Sequence, residues 1–381
     1  MAKHGVFVER RDTAISTPVQ AETGIPFVVG TAPLSQAGHA ATANVPVLCT
    51  SFEEAEDKLG YSDDWEKNTL CEFMYHHFKI AQCQPVLFLP VGETAETAAI
   101  AAGVENVELC LTKYGIIPDM LLAPGFSHEK TVAAALCAKA TAINGIFKAK
   151  AILDINADTY TAAIEAKSAS LPGNPILCFP KGKIGDKTFH LSTVVAGCIS
   201  TTDSGNSGIP YESPSNKSVS LDSLVASNGK EILLTKAQAD QLNQNGIVTA
   251  INFLSKFVVW GNYTAAYPTS TDVKDIFIPI SRMFDWINNT LIKTFWSYLD
   301  RPNNRRLIDS ILDTTTIWIN GLVGSGYLLG GRVELKDEEN PSTDLMAGII
   351  RPHIYITPPS PGQEIDFIVE YDPQYVEQAL S

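Results

Sequence analysis

The chain has 381 residues, of which 45 % are hydrophobic and 18 % charged, and its formal net charge is −14. This length is sufficient for two or three domains with a sizeable buried core. The acidic balance argues against direct binding of nucleic acid, because nucleic-acid-binding proteins usually carry a basic face.

The cysteines and the hydropathy pattern suggest a protein made in the cytoplasm. The seven cysteines are scattered and mostly lie in apolar surroundings, which predicts reduced, buried thiols rather than a disulfide framework. The sequence shows no apolar signal region near its N-terminus and no run of 18 apolar residues. We therefore expect neither a signal peptide nor insertion into a membrane.

Alternating residues predict a short β-strand at each end of the chain, over residues 4–10 and 364–371. Neither segment has a hairpin partner nearby in sequence, so each would present an open ladder of N–H and C=O groups. One alternative is that each strand folds back onto its own domain. The other is that each strand pairs with another copy of the chain, which would produce a polymer.

Residues 26–180 alternate between strand and helix patterns. Continuous apolar runs such as 85–90 predict strands that are covered on both faces. Segments such as 127–143 and 158–169 predict helices between those strands. This alternation favours a mostly parallel sheet with helices on its faces.

The pattern changes in the middle of the chain. Residues 201–222 are rich in Ser, Thr, Asn, Gly and Pro and predict a long loop. A helix is predicted over 237–245, followed by a pair of strands over 247–252 and 257–260.

A second region begins near residue 275. Apolar residues spaced three and four apart predict an amphipathic helix over 280–300. The chain after it predicts, in order, a second helix, two strands and a stiff proline-rich spacer before the last strand: 307–322, 330–335, 349–356 and 358–361.

Three patterns approach known chemical motifs without fitting them. The glycines from Gly324 to Gly330 have the wrong spacing for a dinucleotide loop. The turn at Ser207 lacks the last glycine of a nucleophile elbow, since Ile209 stands there. A candidate metal cluster has no second ligand pair with the usual spacing; its members are Cys71, His76, His77 and Cys83. We expect no catalytic residue, no metal and no cofactor.

Three stretches carry a family resemblance by their order and spacing. The first is Thr193-Val-Val-Ala-Gly-Cys-Ile-Ser-Thr-Thr-Asp203 with 208–217. The second is Val258-Val-Trp-Gly-Asn-Tyr-Thr264, preceded by Gly246. The third is the helical block 280–326, which contains Leu299-Asp-Arg-Pro-Asn-Asn304 and is closed by Ala347-Gly-Ile-Ile350 and Ile356-Thr-Pro-Pro359. Together they resemble contractile tail sheath proteins of phages and of R-type, phage-tail-like bacteriocins. The opening His4-Gly-Val-Phe-Val8 is similar to the start of the short members of that family.

The resemblance implies an α/β fold class, with a subtilisin-like α/β domain and an α+β C-terminal handshake domain. The implied division is an N-terminal strand arm over 1–20, the subtilisin-like domain over 21–272, the handshake domain over 273–361 and a C-terminal strand arm over 362–381. The likeness to subtilisin is one of fold and implies no protease activity.

The resemblance also implies a mechanical function. Subunits would form hexameric rings stacked helically around an inner tail tube protein, with baseplate and tail terminator proteins at the ends. Contraction would drive the tube through a cell envelope. Such a subunit assembles in the host cytoplasm and becomes part of the released virion tail or tail-like particle, without contacting nucleic acid directly and without inserting into a membrane.

The candidate functional residues follow from this implied architecture. Strand exchange is assigned to the two arms: Val6, Phe7, Val8, Arg10 and Arg11 at the N-terminus, and Ile365, Phe367, Val369, Glu370 and Tyr371 at the C-terminus. The helix over 303–322 is expected to face the tube through Arg305, Arg306, Asp309 and Asp313. The basic residues Lys293, Arg301, Arg305 and Arg306 form either a solvated face or a contact to an acidic partner.

Two alternatives stay open from the sequence. One is the sheath of a non-phage extracellular contractile injection system. The other is an α/β hydrolase-like enzyme whose termini fold back, which would require a convergent Ser–His–Asp set.

Overall fold

The structure is a computed structural model that describes residues 17–167 and 171–380. Its strands are β1 (Pro26–Thr31), β2 (Val47–Cys49), β3 (Val86–Gly92), β4 (Met120–Leu122), β5 (Lys150–Asp154), β6 (Ile176–Cys178), β7 (Lys181–Ile184), β8 (Lys187–Phe189), β9 (Ser223–Val225), β10 (Ile247–Phe253), β11 (Lys256–Trp260), β12 (Gly330–Glu334) and β13 (His353–Thr357).

Its α-helices are α1 (Phe52–Leu59), α2 (Thr69–Met74), α3 (Thr97–Gly103), α4 (Glu108–Tyr114), α5 (Lys130–Thr141), α6 (Tyr160–Ala166), α7 (Leu191–Gly205), α8 (Lys236–Asn243), α9 (Val273–Ile276), α10 (Ile278–Phe295), α11 (Arg305–Gly324), α12 (Ser342–Met346) and α13 (Gln374–Leu380). A π-helical turn over Tyr75–Ile80 continues α2. No helix in the described ranges is both long enough and apolar enough to cross a membrane.

A large mixed sheet organises most of the chain. Its eight strands run in the order β11-β10-β6-β5-β4-β1-β3-β2. The six inner strands are parallel to their neighbours, and only the edge strands β2 and β11 are antiparallel. This confirms the predicted mostly parallel sheet. Strand β1 shows why such strands could be predicted from continuous apolar runs in the sequence. All six of its residues are buried, as expected for a strand covered on both faces.

Each face of the large sheet has its own hydrophobic core. One face packs against α1, α2 and α7, with Val28 and Phe88 of the sheet meeting Phe73 and Val194. The other face packs against α3 and α5, with Phe27 among the buried strand residues. Burial of such apolar side chains supplies the main favourable free energy of folding, about 1.5–3 kcal/mol for each large one.

A smaller third core joins α10, α11 and a separate hairpin. Met283, Trp286 and Ile287 of α10 meet Trp318 and other residues of α11, and the hairpin β12–β13 covers them. The two tryptophan rings lie 5.6 Å apart between centroids. The predicted helices over 280–300 and 307–322 and the predicted pair of strands after them are therefore present, with ends shifted by a few residues.

The structure also contains elements that the sequence patterns did not reveal. α7 occupies much of the first resemblance stretch and is buried around nearly its whole circumference, so it shows no amphipathic period. A three-stranded antiparallel sheet, β8-β7-β9, lies outside the large sheet. Its strand β9 falls just after the segment predicted as a long loop.

Candidate assembly surfaces

The hairpin β12–β13 is a two-stranded sheet. Its antiparallel register runs from Gly330 opposite Thr357 to Glu334 opposite His353. Within residues 17–167 and 171–380, no third strand pairs with either strand of the hairpin. Both of its edges therefore offer unpaired N–H and C=O groups to an incoming strand.

The inner face of the hairpin belongs to the third core. Val333, Ile354 and Ile356 pack against the residues of α10 and α11. The contact with α11 is close at Gly331, where an added Cβ would lie 2.5 Å from Cγ2 of Ile319. The hairpin is thus fixed on a helix while its edges stay open.

The outer face of the hairpin is polar and aromatic. The guanidinium carbon of Arg332 lies 3.8 Å from the ring centroid of Tyr355, and Nζ of Lys336 lies 5.1 Å from the same centroid. Nδ1 of His353 is 2.8 Å from a carboxylate oxygen of Glu339. The hydrogen bond with His353 is the main cause that lowers the pKa of Glu339, and it outweighs the opposing effect of desolvation.

The C-terminal segment pairs with no strand among the described residues. Residues 358–372 form neither helix nor strand. Ile365, Phe367, Val369 and Tyr371 are all exposed, and Phe367 is 86 % exposed. The segment is attached at its start, where Gln363 bonds Asn262 and Tyr263 at 2.7 Å. The segment predicted as a strand therefore leaves its anchor with its apolar side chains exposed, and it is unpaired among the described residues.

The N-terminal candidates Val6, Phe7, Val8, Arg10 and Arg11 lie outside the described residues. The first described residues run along α10. The backbone N–H groups of Val19 and Ala21 each donate to a threonine hydroxyl of α10 at 3.0 Å, those of Thr294 and Thr290. Val19 therefore lies beside the C-terminal end of α10.

The helix α11 carries the residues that were predicted to face a tube. Arg305, Arg306 and Asp313 are exposed, and Asp309 is half-buried. Nε of Arg305 lies 2.8 Å from Oδ1 of Asp309. The structure thus places these residues on an accessible part of the helix, at and after its N-terminus. Lys293 differs from them, because it pairs with Glu22 at 2.7 Å and holds the N-terminal segment on α10.

A polar cluster lies near the carboxyl ends of the parallel strands, where α/β enzymes place their sites. Two serine hydroxyls donate to Asp154 at the end of β5, Ser127 at 3.0 Å and Ser192 at 2.5 Å. Nδ1 of the half-buried His190 lies 2.7 Å from Glu72. Among the described residues no serine hydroxyl is hydrogen-bonded to a histidine. The two serines therefore anchor α7 and a loop to the sheet and are not activated as nucleophiles.

The charges of the Glu72–His190 pair are mutually stabilised. Burial alone would raise the pKa of Glu72, but the charge of His190 and its hydrogen bonds outweigh burial and lower it. Burial alone would lower the pKa of His190, but Glu72 raises it. Sequence reasoning missed this pair because the two residues are 118 positions apart.

The cysteines and histidines that were weighed as a metal cluster do not converge. His76 and His77 are buried, and Sγ of Cys83 lies 3.0 Å from Oγ1 of Thr201 on α7 instead. In the described part of the chain no three His, Cys, Asp or Glu residues are grouped to hold an ion. The seven cysteines are free thiols, and all except Cys83 are buried, in agreement with the sequence-based prediction.

Comparison with known proteins decides the family. The tail sheath protein of Burkholderia phage BcepMu is 26 % identical over 73 % of the chain, and the match spans 60 % of that protein's own length. A putative prophage major tail sheath protein of Pseudomonas aeruginosa strain UCBPP-PA14 is 24 % identical over 99 % of the chain and 98 % of its own length. The chain is a tail sheath subunit of a contractile tail or injection system. No family model matches the sequence.

The fold of this sheath protein agrees with that of solved relatives. The sheath of an extracellular contractile injection system, the PVC sheath complex in its contracted state, aligns with a TM-score of 0.73 at 16 % identity. The alignment covers 98 % of the chain and 99 % of that structure. The sheath protein is a structural component of a phage tail or tail-like particle and not an enzyme. The hydrolase alternative is thereby excluded.

Proposed function

We propose that this sheath protein polymerises as hexameric rings, stacked helically around an inner tube, and contracts to drive the tube through a cell envelope. One observation carries the proposal. The same chain holds a two-stranded sheet with open edges and an exposed, alternating apolar segment that could fill such an edge. A chain that carries both a free strand segment and a sheet edge that can receive one is able to join the next copy, and this yields an open polymer.

The proposed division of the chain follows this scheme. Residues 1–20 and 362–381 are the two arms, 21–272 the subtilisin-like domain and 273–361 the handshake domain that receives arms from neighbours. The position of the third core supports the boundary near 273, because most of its residues come from α10, α11 and the hairpin.

Arm exchange would supply enough free energy to keep subunits together during contraction. Each large apolar side chain of the C-terminal arm contributes roughly 1.5–3 kcal/mol when it is buried. The alternating set comprises Ile365, Phe367, Val369 and Tyr371, to which backbone pairing adds. The arms would then act as hinges about fixed strand pairs while the domains move apart. The contracted lattice has the lower free energy in this scheme, so no cofactor or nucleotide is required.

The proposed partners are further copies of the chain, the inner tube protein, and the baseplate and tail terminator proteins. Assembly would take place in the host cytoplasm, before the particle is released. No direct contact with nucleic acid or with a membrane interior is part of the scheme.

Truncation tests the proposal. Deleting residues 1–10, or everything after Pro361, should leave a folded monomer that forms no sheaths, because each deletion removes one exchanged strand. Far-ultraviolet circular dichroism and gel filtration check the fold, and negative-stain electron microscopy checks for striated hollow cylinders.

The matched control deletes residues 374–381, which removes α13 and leaves the alternating segment in place. It should still assemble. Cylinders formed by the protein truncated after Pro361 would contradict the proposed role of the C-terminal arm.

A second candidate is the sheath of a non-phage extracellular injection system. The near-complete structural alignment with the PVC sheath supports it. Electron microscopy of particles purified from the native source separates the two, since a phage tail is attached to a capsid and an injection particle is not.

A further inference from the structure

The outer face of the hairpin carries a cationic group with unused bonding capacity. The guanidinium of Arg332 stacks on Tyr355, its side chain is 64 % exposed, and its nearest carboxylate oxygen, on Glu334, is 3.7 Å away. A guanidinium has five N–H donors in a planar fork that suits a carboxylate. Among the carboxylates of the described residues only that of Glu334 approaches it, so Arg332 keeps N–H donors for a further acid.

The stacking also fixes the position of the Arg332 guanidinium relative to the two strands. Arg332 belongs to β12, but its guanidinium lies over a ring of β13. Lys336 approaches the same ring. The guanidinium of Arg332 is thus displaced across the hairpin toward the free edge of β13, whereas the ammonium of Lys336 pairs with Glu334 and Glu339.

The C-terminal arm is complementary in charge. Residues 361–381 contain no Lys and no Arg. Asp366 and Glu370 are exposed, and neither has an ion-pair partner among the described residues. They alternate with the apolar set, so in a strand they face the opposite side from Phe367.

The alternation of side chains along a strand relates the acids of the arm to the outer face of the hairpin. An arm that continues the inner face of the hairpin with its apolar residues must present Asp366 and Glu370 on the outer face. Neighbouring strands lie about 4.8 Å apart, so a carboxylate beside Tyr355 comes within reach of the guanidinium above that ring. A slip of one residue would reverse the arm and turn both acids toward the apolar core.

We propose that Arg332, held over Tyr355, is a specificity-determining residue that binds Asp366 or Glu370 of a second copy, whose residues 364–371 occupy the free edge of β13. The inference rests on the proposed strand exchange and adds to it the edge, the partner side chains and the device that fixes the register. The contact favours the acidic C-terminal arm over the N-terminal segment, whose Arg10 and Arg11 would be repelled.

A charge-swap experiment on the full-length protein tests this. Sheath assembly is followed by light scattering and electron microscopy over a range of protein concentrations. Asp366→Lys with Glu370→Lys, and separately Arg332→Glu, should each raise the concentration needed for half-maximal assembly by about tenfold or more. Combining all three substitutions should restore that concentration to within about threefold of the original protein.

The matched control is Glu56→Lys with Glu165→Lys, two exposed residues far along the chain from the arm that change the net charge as the arm variant does. This control should assemble like the original protein. Circular dichroism verifies that each variant is folded.

The outcomes are separable. If the arm variant behaves like the control, the contact at Arg332 is wrong while arm exchange stands. If the triple variant assembles no better than Arg332→Glu alone, another segment such as residues 1–16 occupies that edge, and the inference is again wrong. If the chain truncated after Pro361 still assembles, the proposed exchange itself fails.

Discussion

His77 is a buried imidazole in an aromatic setting. Neither ring nitrogen has a hydrogen-bond partner among the described residues. The ring stacks on Phe73 at 5.1 Å and meets Phe78 edge-on at 5.9 Å. Burial lowers the pKa of His77 to about 3 and that of the neighbouring His76 to about 4, so both are neutral near pH 7.

Replacing His77 by Phe should therefore stabilise the protein. The change keeps the aromatic contacts and removes two unpaired polar atoms, which should raise the free energy of unfolding by about 1–3 kcal/mol at pH 7. Urea denaturation of the non-assembling truncated chain measures it. The exposed His39→Phe serves as the control and should have little effect.

The pH dependence of stability gives a second readout of the same substitution. The folded-state pKa of His77 lies below its ordinary value of 6.5, so the unfolded chain takes up the proton first as the pH falls. Stability from the neutral ring is complete above about pH 6.5 and is lost toward pH 3, at up to about 1.4 kcal/mol per pH unit. His77→Phe should flatten this loss; an unchanged slope would show that His77 does not contribute to it.

The packing of the hairpin on α11 is the critical contact at the scale of elements. Gly331→Ala would place a Cβ 2.5 Å from Ile319 and 3.1 Å from the carbonyl oxygen of Tyr355. Overpacking of this kind costs about 1–3 kcal/mol and should displace the hairpin, so sheath assembly should weaken. Gly330→Ala meets nothing within 4 Å and should assemble normally. Equal assembly of the two variants, by electron microscopy, would contradict this.

The exposed start of α11 is the proposed contact with the tube. Reversing the charges of Arg305, Arg306, Asp309 and Asp313 should impair co-assembly with the tube protein more than self-assembly of the sheath. The Arg305–Asp309 pair is exposed and contributes only about 0–1 kcal/mol, so the fold should tolerate the change. Co-sedimentation with and without tube protein compares the two effects. A larger loss in self-assembly would place this helix between sheath subunits instead.

Elements with a clear period could be predicted from the sequence. α10 and α11 carry apolar residues three and four positions apart, and β10 and β11 form the predicted pair. α7 could not be predicted, because a helix buried nearly all round and rich in β-branched residues has no polar face. The segment Ser51-Phe-Glu-Glu54 fits a capping box only in part. The hydroxyl of Ser51 accepts from the N–H of Glu54, but the carboxylate of Glu54 bonds the N–H of Thr50 rather than that of Ser51.

The sequence predicts which segments form the candidate surfaces, but it does not predict which residues meet there in space. Alternation marks 364–371 as a strand, yet the ladder that would complete it lies outside the described chain. The stacking of Arg332 on Tyr355 depends on the register of a hairpin whose strands are 18 residues apart along the chain. No local pattern encodes that pairing.

At the scale of the whole molecule, α10 connects the large sheet to the third core. Arg282 of this helix is buried and bonds Asp203 of α7 at 2.5 Å and Asp119 at 2.6 Å. Asp285 pairs with Lys150 of β5 at 2.9 Å. An adjacent face of the same helix supplies Met283, Trp286 and Ile287 to the third core. The proposed boundary near residue 273 therefore separates two cores that share one helix, and we expect them to unfold together.

Arg282→Met tests this coupling. It leaves Asp203 buried without its cation, which should cost about 3–5 kcal/mol. Because α10 serves both cores, tryptophan fluorescence, to which Trp286 and Trp318 of the third core contribute, and far-ultraviolet circular dichroism should lose signal at one common, lowered temperature. Lys274→Met removes an exposed partner of Asp272 and should leave that temperature nearly unchanged. Two separate transitions in the original protein, with only one shifted by Arg282→Met, would mean that contraction can move the handshake domain independently of the large sheet.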